Sequence, residues 1–162
     1  MSDQPRSWTI RTLLEWTTPF FTRKGLESPR LRAELLLSHV LQLPRIRLYT
    51  EFDREVAAGQ LAAYRELVRR AAEHEPVAYL TGRAHFFNLE FDVTRDVLIP
   101  RPDTELIVEH VIQLIRRQPG METPRVLDLC TGTGCIAAAV AAHVKSAIVV
   151  AIDISPPAVV VA

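Results

Sequence analysis

Apolar residues recur at helical spacing through the first 75 positions and then change period. Trp8, Ile10, Leu13, Leu14, Phe20 and Phe21 form the first stripe, with Ser7 as the expected cap. Pro19 is expected to kink or restart that helix, and Gly25 to end it. Ser28-Pro29 reads as a second start, Ser as cap and Pro at the first helical position. Leu31, Leu35, Leu36, His39 and Val40 then share a face until Pro44. A helical turn is expected around Ile46–Tyr49, and Asp53 opens a last helix carrying Val56, Leu61, Tyr64, Leu67 and Val68. Arg65, Arg69 and Arg70 point outward from it, either toward RNA or an acidic partner or simply into solvent. His39 and His74 have no ligand-spaced partner and read as ordinary helix residues.

After Glu75-Pro76 the pattern breaks into a connector. Thr81-Gly82 is a turn, Arg83 to Phe87 a strand, Asn88-Leu89 a turn, and Glu90 to Val93 a returning strand. Two prolines pin the loop Leu98 to Glu105, where Asp103 is placed to cap a helix striped by Ile107, Val108, Val111, Ile112 and Ile115. Asp103 and Glu105 have two readings, an acid/base pair or a helix start with favourable dipole charge. Pro119-Gly120 ends that helix. Arg125 to Leu129 is a short buried strand, Cys130 to Gly134 a tight loop, Ile136 to Lys145 an Ala-rich helix, and Ala147 to Ile152 a second strand leading into Asp153. This is a βαβ unit. Ser155-Pro156 then opens another helix. The expected division is a helical module over 1–75, a hairpin connector over 76–97, and an α/β part over 98–162. With two parallel strands alone, the α/β part is expected to expose apolar sheet and a bare edge.

At 162 residues and 48% hydrophobic, the chain can bury a real core. Its formal net charge of +0, without a Lys/Arg block, argues against a dedicated nucleic-acid binder. The cysteines, Cys130 and Cys135, cannot complete a four-ligand zinc site, so no metal is expected. The first residues lack the apolar core of a signal peptide and no apolar run reaches membrane-spanning length, so a cytoplasmic location is expected.

The chemistry concentrates in the βαβ unit. Gly132 and Gly134 carry no Cβ and let a ligand approach the backbone. Asp153, at the carboxyl end of the second strand, is placed to accept ribose hydroxyls. Gly132-Thr-Gly-Cys-Ile-Ala137 also fits a dinucleotide pattern, so Asp128 decides. A pyrophosphate wants bare amides at a helix N-terminus and is repelled by a carboxylate. The ammonium and sulfonium of S-adenosylmethionine are favoured beside one. The expected cofactor is therefore S-adenosylmethionine rather than NAD.

Five strings then carry a resemblance: Ser28-Pro-Arg-Leu-Arg-Ala-Glu-Leu-Leu-Leu37, Glu75-Pro-Val-Ala-Tyr-Leu-Thr-Gly82, Phe87-Asn-Leu-Glu-Phe-Asp-Val93, Leu98-Ile-Pro-Arg-Pro-Asp-Thr-Glu105 and Val126-Leu-Asp-Leu-Cys-Thr-Gly-Thr-Gly134. Together they resemble the bacterial release-factor glutamine N5-methyltransferases (HemK-like). The resemblance implies an α/β fold: an N-terminal helical bundle, a β-hairpin connector and the first part of a Rossmann-like class I methyltransferase domain. It implies methylation of the Gly-Gly-Gln glutamine of peptide-chain release factors, with Cys130, Thr131, Gly132, Thr133 and Gly134 lining the methionine part of the donor and Asp153 holding its ribose. It also implies a helical module that docks the release factor, a loop at Arg101, Thr104 and Glu105 near the catalytic pocket, and a monomer. Cys130 departs from the family, which more often has glycine there. The family's Asn-Pro-Pro-Tyr loop, which aims the weakly nucleophilic amide nitrogen, is absent, and Ser155-Pro-Pro-Ala158 is no substitute. No catalytic residue is thus expected here, and the chain is read as the N-terminal portion of such an enzyme, inactive alone. The competing readings are a non-catalytic release-factor-binding fragment, a methyltransferase for a ribosomal-protein glutamine or a DNA adenine, and, more remotely, a dehydrogenase.

Overall fold

A computed structural model describes residues 7–162; residues 1–6 of the expected helical module lie outside the described residues. The described chain is mixed α/β, with eight helices and two small two-stranded sheets. It divides into two compact units between Thr81 and Gly82.

The first unit holds α1 (Ile10–Arg23), α2 (Pro29–Leu41), α3 (Arg45–Thr50), α4 (Ala58–Ala72) and α5 (Val77–Thr81). α1 is capped by Thr9 rather than Ser7, through a reciprocal capping box with Thr12. Pro19 stays inside one continuous helix. Its missing N–H is tolerated because buried Leu14, Thr17 and Phe21 anchor the turns on both sides. Beyond the helix, the Leu26 N–H donates to Phe21 C=O and the Gly25 N–H to Thr22 C=O, so Gly25 ends it as expected.

α2 begins at Pro29, but Ser28 sits at φ +49 and makes no side-chain cap. Its buried face is Ala33, Leu36, Leu37 and Leu41, while Leu31 is exposed. The run of leucines leaves no single stripe in the sequence, so packing against α1, α4 and α5 chooses the face. α4 starts at Ala58, not at Asp53. Residues 54–56 are drawn instead into backbone hydrogen bonds with the start of α1 and the chain just before it: Ile10 N–H to Arg54 C=O at 3.1 Å and Val56 N–H to Trp8 C=O at 2.8 Å. Asp53 pairs with Arg11. His74 lies just past α4 at φ +65, not within it. Where a connector is expected after Pro76, the chain forms α5, whose Val77 and Leu80 join the core of this unit. That core centres on fully buried Leu13, Leu14, Phe21, Leu36, Leu37, Leu48 and Tyr64. Each such side chain contributes roughly 1.5–3 kcal/mol. The buried Tyr64 hydroxyl is satisfied by Thr17 Oγ1 at 3.0 Å.

The outward arginines of α4 are engaged locally. Arg69 bonds Glu66 and Glu73, Arg70 bonds Glu75, and Arg65 lies over the Trp8 ring. These pairings fit the solvated-face reading of the helix.

The second unit opens with the antiparallel hairpin β1 (Arg83–Phe86) and β2 (Leu89–Asp92). Its two-residue turn is Phe87-Asn88, both at positive φ, one residue earlier than expected. A 3₁₀ turn at Pro102–Thr104 leads into α6 (Glu105–Arg117), which has no side-chain cap from Asp103 or Thr104. Val108, Ile112 and Ile115 form its buried stripe, and Ile107 is exposed. β3 (Arg125–Leu129), α7 (Cys135–His143) and β4 (Ile148–Ile152) make the βαβ unit, followed by α8 (Pro156–Val161). β3 and β4 pair in parallel from Arg125↔Ile148 to Leu129↔Ile152. On one face, Val126 and Val149 pack on a core of Phe86, Val108, Ile112, Cys135, Ala139 and Val140. On the other, Leu127, Leu129, Ile148, Val150 and Ile152 are each about half exposed.

Candidate functional site

The loop between β3 and α7 is held by backbone and carboxylate bonds that converge from both strands. Cys130 leaves β3 at φ +61, Gly132 follows at +57 and Gly134 at +73. Three left-handed residues in five turn the chain back tightly enough for α7 to start at Cys135. The Thr131 N–H donates to Ile152 C=O at 3.0 Å, and the Gly134 N–H to Thr131 C=O at 2.9 Å. A Cβ at Gly132 would meet nothing within 4 Å, so the space over this residue is open. At Gly134 φ is +73, which favours glycine, and a Cβ there would approach that of Ala162 to 3.2 Å, a tight contact that a small shift relieves.

Asp153 follows β4 and reaches across to the loop. Its Oδ2 accepts from the Gly132 N–H at 2.9 Å, and its Oδ1 from the Ser155 N–H at 2.9 Å. These amides, Ser155 first and Gly132 second, hold the carboxyl below the usual aspartate range. A carboxylate has about four acceptor sites, so capacity remains for a further donor such as a ribose hydroxyl. Ser155 is a residue the sequence reading used only as a helix cap. Its hydroxyl does cap α8, accepting from the Ala158 N–H at 3.4 Å, while its amide orients Asp153. The Asp-x-Ser spacing, which suits an Asx-turn, is the signal for that second role.

Asp128 is buried at the back of the loop. Its Oδ2 accepts from Thr131 Oγ1 at 2.7 Å and from the Ala137 N–H at 3.3 Å. The carboxylate therefore fixes the loop and sits in the first turn of α7, where the helix dipole favours it. Thr131 and Thr133 are buried with it, and the Cys135 thiol follows at the start of α7. Burial pushes that thiol up, whereas Cys130 is exposed.

The two cofactor chemistries considered above ask different things of this loop. A pyrophosphate needs free amides and no nearby anion. Here the Gly132 and Ala137 amides are already taken by carboxylates, and both carboxylates flank the loop. A ligand with a cationic centre and ribose hydroxyls fits this donor and acceptor set. The structure brings Asp128, the Cys130–Gly134 turn and Asp153 together.

Glu105 has a different engagement. Its carboxylate accepts the Phe87 N–H at 2.8 Å, tying the start of α6 to the hairpin turn. The Phe87 ring in turn meets His143 of α7 edge-on at 4.8 Å. This bond employs Glu105 in holding backbone and speaks against an acid/base pair with exposed Asp103. Arg101 is exposed and Thr104 is half-buried at the helix start. Among the described residues, no cluster of three or more His, Cys, Asp or Glu is placed to hold a metal ion, and no helix is long and apolar enough to cross a membrane.

Comparison with known proteins agrees in kind. Residues 12–82 match the family model of the PrmC N-terminal domain. Over 149 residues the chain is 48% identical to a release factor glutamine methyltransferase of Rhodopirellula baltica, covering 91% of this chain and 50% of that protein. It is 45% identical over 162 residues to the enzyme of the same name from Geobacter sulfurreducens, covering 100% and 55%. A bifunctional methyltransferase of Rickettsia typhi is 32% identical over 170 residues, covering 96% and 33%. The chain spans about half the length of the first two of these curated relatives.

Proposed function

Over the length it spans, the chain belongs to the release factor glutamine methyltransferase family, and on that premise we propose that it carries the donor-binding half-site and the substrate-docking unit of an S-adenosylmethionine-dependent enzyme of that kind. The observation that carries this reading is the loop whose Gly132 and Ala137 amides are consumed by Asp153 and Asp128. Such a loop suits a cationic methyl donor better than a pyrophosphate, and the preference rests on Asp128, because an acidic residue at the Asp153 position serves the ribose of either cofactor. Bound there, S-adenosylmethionine supplies an electrophilic methyl group. Asp153 would hold the ribose through its remaining acceptor capacity, and Asp128 would place negative charge behind the loop that receives the methionine part. The open space over Gly132 leaves room for close approach. Arg101 and Thr104 are assigned to the neighbouring pocket loop, with Glu105 as its tether to the hairpin.

The acceptor in this reading is the side-chain amide of the glutamine in the Gly-Gly-Gln loop of a release factor. An amide nitrogen is a poor nucleophile because its lone pair is delocalised, so the enzyme's contribution is chiefly positioning. The reading carries with it a cytoplasmic, monomeric enzyme. The test is transfer of labelled methyl from S-adenosylmethionine to a release factor by the protein that carries this sequence in its cell. Label on the Gly-Gly-Gln glutamine is expected. Label elsewhere, or none, overturns the substrate assignment.

A further inference from the structure

Away from the glycine loop, charge, exposure and apolar surface coincide at the corner between α2 and α3 in the first unit. Glu34 lies at its base, 3% exposed. It accepts from Arg30 Nε at 2.6 Å and from the Tyr49 hydroxyl, and lies 3.9 Å from Arg45 Nε. One buried carboxylate thus anchors two guanidinium groups and a phenol whose outer sides face solvent. Ile46, one turn before Tyr49 on α3, is 69% exposed, and Leu31, one turn before Glu34 on α2, is 40% exposed. Residues one turn apart share a helix face, so both aliphatic side chains border the anchored groups.

The corner is also basic. Residues 27–54 contain Arg30, Arg32, Arg45, Arg47 and Arg54 against Glu27, Glu34, Glu51 and Asp53. Arg47 and Arg54 share Glu51, and Asp53 is taken by Arg11, so a small positive excess remains. Tyrosine and arginine held in place before binding lose less freedom when a partner arrives, and both are enriched among residues that dominate interfaces. We propose that this corner is a docking surface for an acidic protein segment that presents an apolar side chain to Ile46 and Leu31. A nucleic-acid backbone fits less well. It wants a track of unpaired cations, whereas Arg30 and Arg45 share Glu34, Arg32 donates to Glu27 C=O, and the exposed centre is aliphatic.

The choice of probe rests on the function proposed above. A purified release factor is titrated into the full chain as wild type, Ile46→Ser, Arg45→Gln and, as a control in the other unit, Leu114→Ser, which removes an exposed apolar residue. Circular dichroism checks each fold. The two corner variants are expected to bind about tenfold more weakly, the wild-type affinity to fall with salt, and Leu114→Ser to match wild type. Wild-type binding with unaffected corner variants overturns the docking surface and leaves the release-factor reading standing. No wild-type binding overturns both. Binding of an unstructured RNA that those two variants abolish would assign the corner to nucleic acid and overturn the proposal.

Discussion

Cys130 holds a left-handed backbone angle at the first position of the glycine loop, φ +61. A side chain there costs roughly 1–2 kcal/mol, of which a glycine's greater unfolded-state freedom offsets about 0.5–1. Cys130→Gly is therefore expected to stabilise the chain by about 0.5–1 kcal/mol, read as a higher denaturation midpoint at unchanged slope. Asp153 belongs to the same scale. Its folded carboxyl titrates below its ordinary value, so its contribution is full above the ordinary aspartate range, near pH 4, and is lost as pH falls through the lowered value. An Asp153→Asn variant should lose that acid-limb dependence in a stability-versus-pH series. The residues of this site were legible because glycine and strand-end aspartate answer to local geometry. The partners of Asp128 were not, since Thr131 and Ala137 meet it only after α7 has folded back on the loop.

Elements were legible where local chemistry decides them and misplaced where distant hydrogen bonds win. Gly25 ends α1 and Pro29 starts α2 through the backbone limits of those two residues. Asp53 had the chemistry of a cap, but residues 54–56 gain more by bonding to the start of α1 and the chain just before it, so α4 starts later. The hairpin slipped by one residue for a similar reason. Phe87 accepts a positive φ in the turn because its amide is held by Glu105 and its ring by His143. That bond is a hydrogen bond to a charged group, partly exposed, and is worth about 1–2 kcal/mol. Glu105→Ala should lower stability by that amount and speed hydrogen exchange at the Phe87 amide. Glu105→Gln, which keeps an acceptor, should restore most of the protection.

For the whole molecule, the consequential feature is the uncovered sheet face of Leu127, Leu129, Ile148, Val150 and Ile152. Its five large apolar residues are in register across two strands and form one continuous apolar patch, the kind of surface that favours association. The chain studied alone is expected to bind a hydrophobic dye and to self-associate with concentration. A Leu129→Ser, Val150→Ser pair should reduce both without loss of helical signal. The patch was foreseen from the two-strand pattern, because a parallel sheet is apolar on both faces and one helix layer covers only one.

The role proposed for the β3–α7 loop depends on the identity of its ligand. The deciding measurement is calorimetric titration of the folded chain with S-adenosylmethionine and, separately, with NADH. The prediction is one site for S-adenosylmethionine, weakened at least about tenfold by Asp153→Ala at unchanged circular dichroism, and no heat from NADH. No binding of S-adenosylmethionine at millimolar concentration, or NADH binding that Asp153→Ala abolishes, would contradict it.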